Sequence, residues 1–455
     1  MKNFDFKTEK DVLNFLKGKE NKVKFIRIIF PDVLGREMSF TIPSEEMKSA
    51  FERGKGLDGS SVEGFARIEE SDLIIVPDPK TFRVLPWNYD VQGVIWKEAV
   101  IFGEIFTPKG EHFEGDSRYL LKKTLEKTKE IGRLFCGPEL EFFIFESEGE
   151  TKLLDHGGYF YGGKWGEIRK VSQLYLKEMG IDCEYDHHEV APSQHEIDLR
   201  YGPSLTIADS IILAKYVIKR VARKLGFFAS FMPKPITYVN GSGMHLHLSL
   251  WRGNKNLFFK NKKDPLSDLA KKYLMGLIKY GKEIQIISNQ WINSYKRLIP
   301  GYEAPVYLAW GRKNRSTYIR VPETHLARAE KATRIELRSP DPACNIYLAL
   351  AIIQAAGTQG IKENLKFLPP EEKDIYEMTK AEIREKKIKT LSKNLNEALN
   401  LFKKSKLVRE ALTPHLFQKL IQNKEIEWSN YKKAVRKKYD KEVSPYEIEK
   451  YLPVL

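Results

Sequence analysis

The segment Gly137-Pro138-Glu139-Leu140-Glu141-Phe142-Phe143-Ile144-Phe145 places two glutamates two residues apart in an otherwise apolar run. Side chains alternate faces along a β-strand, so both carboxylates project from one side of any strand formed here. An unpaired ionised group in apolar surroundings is costly, and a divalent cation is one of the few partners that satisfies several carboxylates at once. Alone, the pair fits a solvated strand edge equally well, so further oxygen ligands must come from elsewhere in the chain before a cation site is indicated.

Later segments supply them. His188-Glu189-Val190-Ala191-Pro192-Ser193-Gln194-His195-Glu196-Ile197-Asp198 adds Glu189 and a strand that carries Glu196, Asp198 and Arg200 on one side. Asn240-Gly241-Ser242-Gly243-Met244-His245-Leu246-His247-Leu248-Ser249 joins a glycine-rich turn, whose amides can face an anion, to a strand presenting His245, His247 and Ser249 together. In Arg334-Ile335-Glu336-Leu337-Arg338 an acid suited to a metal lies beside a base suited to carboxylate or phosphate, although by itself this pentapeptide reads as a cross-strand salt bridge. Residues Asn293 to Pro305 are turn-rich and are expected to form a mobile loop. Arg315 and Arg320, five apart, could grip a polyphosphate. Five glutamates, a histidine and several arginines on separate strands point to a two-cation site for phosphoryl transfer, since oxygen-rich ligand sets suit Mg²⁺ or Mn²⁺. The spacing names no substrate.

At 455 residues the chain exceeds the usual single domain, and two domains are expected. The β-rich run Val23 to Phe30, the turn Asp32-Val33-Leu34-Gly35-Arg36 and a second short β-rich run suggest a small N-terminal sheet domain. Thr107-Pro108-Lys109-Gly110 punctuates the pattern ahead of a helical stretch from Tyr119 to Lys129, and a helix with an apolar stripe runs from Ile207 to Leu225 before Gly226. Ser444-Pro445-Tyr446-Glu447 has the signature of a helix start, and the apolar tail Tyr451 to Leu455 is expected to dock on a neighbouring subunit. Three scattered cysteines form neither a disulfide framework nor a CxxC site, and neither an apolar leader nor a run of ~18 apolar residues occurs, so a cytoplasmic address is expected. The net charge of +15 comes from lysines spread along the whole length, which reads as a solvated surface; no nucleic-acid partner is expected.

These segments, in this order and nearly from end to end, resemble the glutamine synthetase family, type I, of bacteria and archaea. The resemblance implies an α+β fold: a small N-terminal β-grasp domain over residues 1–107 and a large catalytic domain over 108–455, with a curved antiparallel sheet flanked by helices and a C-terminal helix and tail reaching the opposite ring. It implies a homo-oligomer, a dodecamer of two stacked hexameric rings with active sites between neighbours. The implied reaction is ATP-dependent ligation of ammonia to the γ-carboxylate of L-glutamate through γ-glutamyl phosphate. By the same resemblance, Glu141, Glu189 and Glu196 would hold one Mg²⁺ or Mn²⁺ and Glu139, His245 and Glu336 another. Glutamate would contact Asn240, Gly241, Arg297, Glu303, Arg315 and Arg338, and ATP would contact Glu184, His247, Ser249, Arg315, Arg320 and Lys331. Asp58 and Ser61 of a neighbour would serve ammonium, Glu303 would close over the site, and Arg320 would neutralise the moving phosphoryl group.

The chain departs from the family pattern at Asn289-Gln290-Trp291-Ile292, which resembles paralogues that ligate larger amines; a γ-glutamyl amine or polyamine ligase is the alternative. The segment around Tyr376 resembles one that is adenylylated in some relatives, but its flanking prolines lie earlier, at Pro369-Pro370, so no adenylylation is expected. Arg67 resembles an arginine tied to glutamine feedback, and the basic stretch from Arg436 to Glu442 looks longer than usual.

Overall fold

The β-branched run near the N-terminus forms β1 (Val23–Pro31), which pairs antiparallel with β2 (Glu37–Pro43) across a turn that Asp32 ties by accepting from the amides of Leu34 and Arg36, each at 2.9 Å. The computed structural model describes residues 6–18, 20–62, 64, 72–163, 165–325, 327–435 and 441–455. Arg67 and residues 436–440 of the basic stretch lie outside them.

The first sheet continues with β3 (Lys55–Asp58), β4 (Asp72–Pro77), β5 (Arg83–Val84), β6 (Tyr89–Val91) and β7 (Val94–Phe106). Its path is β2-β1-β7-β4-β3, and β1 lies parallel to β7. Alternate side chains of β1, Ile26, Ile28 and Phe30, enter a small core of their own with Val12, Phe51, Ile75 and Ile101. This is the expected N-terminal sheet domain.

The second sheet is built from β8 (Arg133–Phe145), β9 (Cys183–His188), β10 (Gln194–Leu199), β11 (Gly202–Pro203), β12 (Phe228–Ser230), β13 (Leu246–Arg252), β14 (Lys255–Asn256), β15 (Tyr307–Gly311), β16 (Thr317–Arg320) and β17 (Ile335–Leu337). The path runs β15-β16-β17-β13-β8-β10-β9. It is antiparallel as expected, apart from the parallel pair β15/β16. Helices Ser204–Lys224, Asp268–Ser288 and Ile346–Lys362 pack around it and close the main core. The helix expected from Tyr119 begins instead at Ser117, because Asp116 caps it by accepting from the Tyr119 amide at 3.0 Å.

Two buried amides join the domains. Asn345 caps the 346–362 helix with its carbonyl oxygen while its NH₂ donates to the backbone carbonyls of Asp32 and Val33. Gln290 donates to the carbonyls of Leu34 (2.6 Å) and Ala343 (3.0 Å), and accepts from the Asn345 amide at 3.2 Å. The turn residue Gly35 has φ +77°, and a Cβ there would stand 2.5 Å from the Asn345 Cα, so only glycine allows this approach.

The C-terminus packs in part on its own chain. The predicted capping box at Ser444 and Glu447 is present, starting the helix Pro445–Tyr451. The tail, however, docks on its own chain: Tyr451, Leu452 and Leu455 are buried in the main core, and the Tyr451 hydroxyl donates to Glu427 at 2.7 Å. Helical and turn spacing places these three side chains on one side, which is why the chain can bury them itself; Pro453 and Val454 remain exposed.

Replacing Asn345 by Ala removes a helix cap and strands two interdomain carbonyls. The expected destabilisation is about 2–4 kcal/mol, read as a lowered thermal midpoint; an unchanged midpoint would refute the junction's role.

Candidate active site

β8 is central, flanked by β10 on one side and β13 on the other, and register decides what meets across it. Glu141 lies directly opposite Glu196, and Glu139 opposite Asp198. β13 and β17 bring His245 and Glu336 to the other side, with His247 opposite Glu336. Carboxylates from β8, β10 and β17, with Glu189 from the link between β9 and β10, therefore converge in one cavity of about 120 Å³.

Ligand geometry is present within it. His245 Nδ1 lies 2.8 Å from Glu139 and 3.5 Å from Glu336, so these three form one cluster. Glu189 and Glu196 form a second with His187, whose Nε2 is 3.0 Å from Glu196. Glu141 stands beside it, accepting from Gln194 Nε2 at 2.9 Å and from the Gly243 amide at 2.8 Å. A Cβ at Gly243 would come 2.5 Å from the Arg297 guanidinium, so the glycine admits both groups to the same wall.

Electrostatics follows from crowding. Burial pushes Glu141 up to about 7; burial and then the charge of Glu141 do the same to Glu189. Burial and the neighbouring Glu139 raise Glu196 well above the carboxylate range. Glu139 is also buried, but the charges and hydrogen bonds of His247 and His245 hold it well below its ordinary value. Burial and Glu139 push Glu336 upward, and His247, Arg338 and His245 outweigh them to hold it low.

The arginines are held by the frame. Arg297 is buried and donates to the carbonyls of Ser339, Pro340 and Arg338. Arg320, opposite Glu336 on the neighbouring strand, makes the cross-strand salt bridge expected from the pentapeptide read alone, and Arg338 pairs with Glu336 from two residues along at 3.1 Å. The loop expected over Asn293 to Pro305 divides in two: residues 293–298 are buried and include the helical turn Ser294–Arg297, and Ile299 to Glu303 form the partly exposed part. Glu303 has φ +54°, an unfavourable backbone for a residue other than glycine, and lies 3.4 Å from Asn240 and 4.0 Å from Arg315.

Of the residues singled out from sequence, Glu139, Glu141, Glu189, Glu196, His245, Glu336, Asn240, Gly241, Arg297, Glu303, Arg315, Arg320 and Arg338 line this cavity. His247 reaches its edge, 2.7 Å from Glu139. Glu184, Ser249 and Lys331 do not line it; Ser249 is buried and accepts from Trp251 at 2.8 Å. Asp58 and Ser61 are exposed on the other domain, where Asp58 accepts from Ser60 and Ser61, bonds that lower its pKa. Gln290 and Trp291 stay out of the cavity altogether: both are buried, and the Trp291 indole donates to Ala343 at 2.8 Å against Tyr451. Sequence reading missed Tyr185, His187 and Gln194, although each lies an even number of residues before Glu189 or Glu196 and so shares their strand face.

A small β-sheet domain is thus joined to a larger sheet whose pocket gathers acids, a histidine and arginines. Residues 114–451 match the family described as glutamine synthetase, catalytic domain, and residues 22–108 its β-grasp domain. The chain is 44% identical to a glutamine synthetase of Methanosarcina mazei, covering 98% of each chain, and 44% identical to one of Thermotoga maritima, covering 95% of this chain and 97% of that one. Among solved structures, a Plasmodium falciparum glutamine synthetase superposes with a TM-score of 0.85 at 27% identity, over 99% of this chain and 100% of that one. The chain belongs to the glutamine synthetase family. No helix among the described residues is long and apolar enough to cross a membrane.

Three raised acids have a consequence for the cation-free protein. Glu141 and Glu189 hold protons up to about pH 7 when folded but only to their ordinary 4.5 when unfolded, so folding binds protons in that window and stability falls as pH rises through it. Thermal midpoints taken after chelation should drop between about pH 5 and 8, and added Mg²⁺ should restore more at pH 8 than at pH 5. A flat profile would contradict this.

Proposed function

We propose that this cavity binds ATP, L-glutamate and ammonium with two divalent cations, Mg²⁺ or Mn²⁺, and forms L-glutamine through γ-glutamyl phosphate. Near-full-length likeness to relatives named glutamine synthetase makes the chain a glutamate–ammonia ligase that works with ATP and divalent metal. The observation that carries the site is the convergence of five glutamates and His245 in a pocket shared with Arg297, Arg320 and Arg338.

The donor set fits two hard cations, because Glu141, Glu189 and Glu196, pushed towards their neutral forms by burial and then by neighbouring acids, are satisfied when a cation replaces the protons, and Glu139, His245 and Glu336 already form a ligand cluster. Glu141, Glu189 and Glu196 would hold one, and Glu139, His245 and Glu336 the other. Bound there, the cations supply charge neutralisation at the ATP phosphates. Asn240, Gly241, Arg297, Glu303, Arg315 and Arg338 orient glutamate, while His247, Arg315 and Arg320 position the ATP phosphates and Glu184, Ser249 and Lys331, outside the cavity's lining, would serve the remainder of the nucleotide. The glutamate side-chain oxygen then attacks the γ-phosphorus, the bond to ADP breaks, and Arg320 stabilises the charge in transit. Ammonium gives its proton to Asp58 beside Ser61, ammonia attacks the acyl carbon, and phosphate leaves. Closure of the Glu303 loop keeps out water that would hydrolyse the acyl phosphate.

Asp58 and Ser61 are exposed and are not part of the cavity's lining, which supports their donation to a neighbour's site in a ring, and a dodecamer of two hexameric rings is the assembly we propose. The domain division at 107/108 is supported by the turn in which the Gly110 amide donates to Thr107. Three free cysteines agree with a cytoplasmic address. A larger amine is not favoured, since Gln290, part of the departure that suggested it, serves the domain junction and Trp291 is buried against Ala343 and Tyr451 in the catalytic domain.

Steady-state rates should favour ammonium strongly over ethylamine or putrescine; a preference for either amine would overturn the assignment. Glu336→Ala should reduce turnover by at least about 100-fold and weaken Mn²⁺ binding. Retained turnover would mean that the second cation shell is misassigned.

A further inference from the structure

Away from the catalytic cavity, the helix Ser204–Lys224 carries Lys215, Lys219 and Arg223 at successive i+4 steps, with Arg220 beside them. Like charges one turn apart repel, and such a row is ordinarily interrupted or matched by carboxylates. Among the described residues no carboxylate comes within 4.0 Å of any of these four side chains. The row instead faces a cavity of about 600 Å³ enclosed by the helix, the β1–β2 hairpin and the C-terminus.

The other charges of this cavity leave the row unmatched. Arg27 is held by Glu98 at 2.8 Å and Arg36 by Asp32 at 2.6 Å. Glu37 and the Leu455 carboxyl terminus are the acidic groups of the lining; Glu37 acts on Lys215 and Lys219 through space, a single acid against four cations, and makes no ion pair with them within 4.0 Å. The lysines are nevertheless fixed in place: the Lys215 ammonium donates to the Pro342 carbonyl at 2.7 Å, and Lys215 and Lys219 lie 5.4 and 5.8 Å from the Phe231 ring centroid. Burial first, and then repulsion by Lys215, draws Lys219 down to about 7, and the through-space attraction of Glu37 does not offset them.

We infer that this cavity is a second anion site, taking a small, multiply charged oxyanion that Lys215, Lys219 and Arg223 hold between the two domains. Preorganised cations around a concave, partly apolar space suit a compact ligand carrying two or more negative oxygens, whether on one phosphorus or on separate carboxyl groups. A flexible chain or an extended surface would not fit a space walled by a helix, a hairpin and the terminal residues.

The test is isothermal titration of the full chain, free of metal and nucleotide, with inorganic phosphate in one arm and tricarballylate in the other, which separates the two sources of charge. Wild type should show saturable binding in at least one arm. The double variant Lys219→Gln/Arg223→Gln should lose at least ten-fold in affinity there, while Arg320→Gln, which alters the catalytic cavity, should retain this binding. Lys219→Arg keeps the charge and should keep the affinity, separating loss of charge from loss of fold, and the ligand should raise the melting midpoint of wild type but not of the double variant. Absence of saturable binding in both arms, or equal affinity in wild type and double variant, would overturn the site. Neither result bears on glutamine formation, which rests on the other cavity.

Discussion

Two carboxylates face two others across adjacent strands, Glu141 against Glu196 and Glu139 against Asp198, and the rest of the catalytic domain is arranged around that repulsion. Like charges directly opposite in a sheet are destabilising, the more so when buried. The surrounding structure manages the conflict by bringing partners to each acid: the Gly243 amide and Gln194 to Glu141, His245 and His247 to Glu139, and Arg320 and Arg338 to Glu336. What these partners leave uncompensated is the demand that the proposed pair of divalent cations would meet. On that proposal, the stability forgone in holding the acids together would be the source of affinity for positive charge.

Much of this was legible in the sequence because strand periodicity is a strong local signal. Period two placed Glu139 with Glu141 and His245 with His247 on shared faces, and the β8–β10 and β8–β13 ladders then aligned them. The same signal would have yielded Tyr185, His187 and Gln194, whose residue types are simply less suggestive. Lost to sequence were facts of tertiary register. Gln290 and Trp291 drew attention through likeness to paralogues that ligate larger amines, yet the fold sends Arg297 to the cavity, the Gln290 amide to the junction and the Trp291 indole into the catalytic domain against Ala343 and Tyr451. The tail shows a related limit of sequence: apolar composition says that a segment will be covered but not by what, and here Tyr451, Leu452 and Leu455 are covered by their own chain.

Backbone freedom is spent where groups must crowd. Gly243 lets a guanidinium and a carboxylate share a wall, Gly35 lets the hairpin turn touch Asn345, and Glu303 carries a left-handed backbone without being glycine. The first two are permissive and fix geometry. Glu303 differs, because its conformation is held against a local preference and only weakly, through long contacts to Asn240 and Arg315, so relaxation of this one residue would move the acid relative to the pocket.

The junction built from Gln290 and Asn345 also bears on how such a chain could be recombined. Both amides answer backbone carbonyls of the 32–34 turn rather than side chains, so the N-terminal domain could change most of its sequence without disturbing them. The converse does not hold: a foreign N-terminal domain whose turn lacked a glycine at the position of Gly35 would collide with Asn345. Exchange of domains between relatives is therefore directional, with the catalytic half dictating a single residue of its partner and the partner dictating two amides in return.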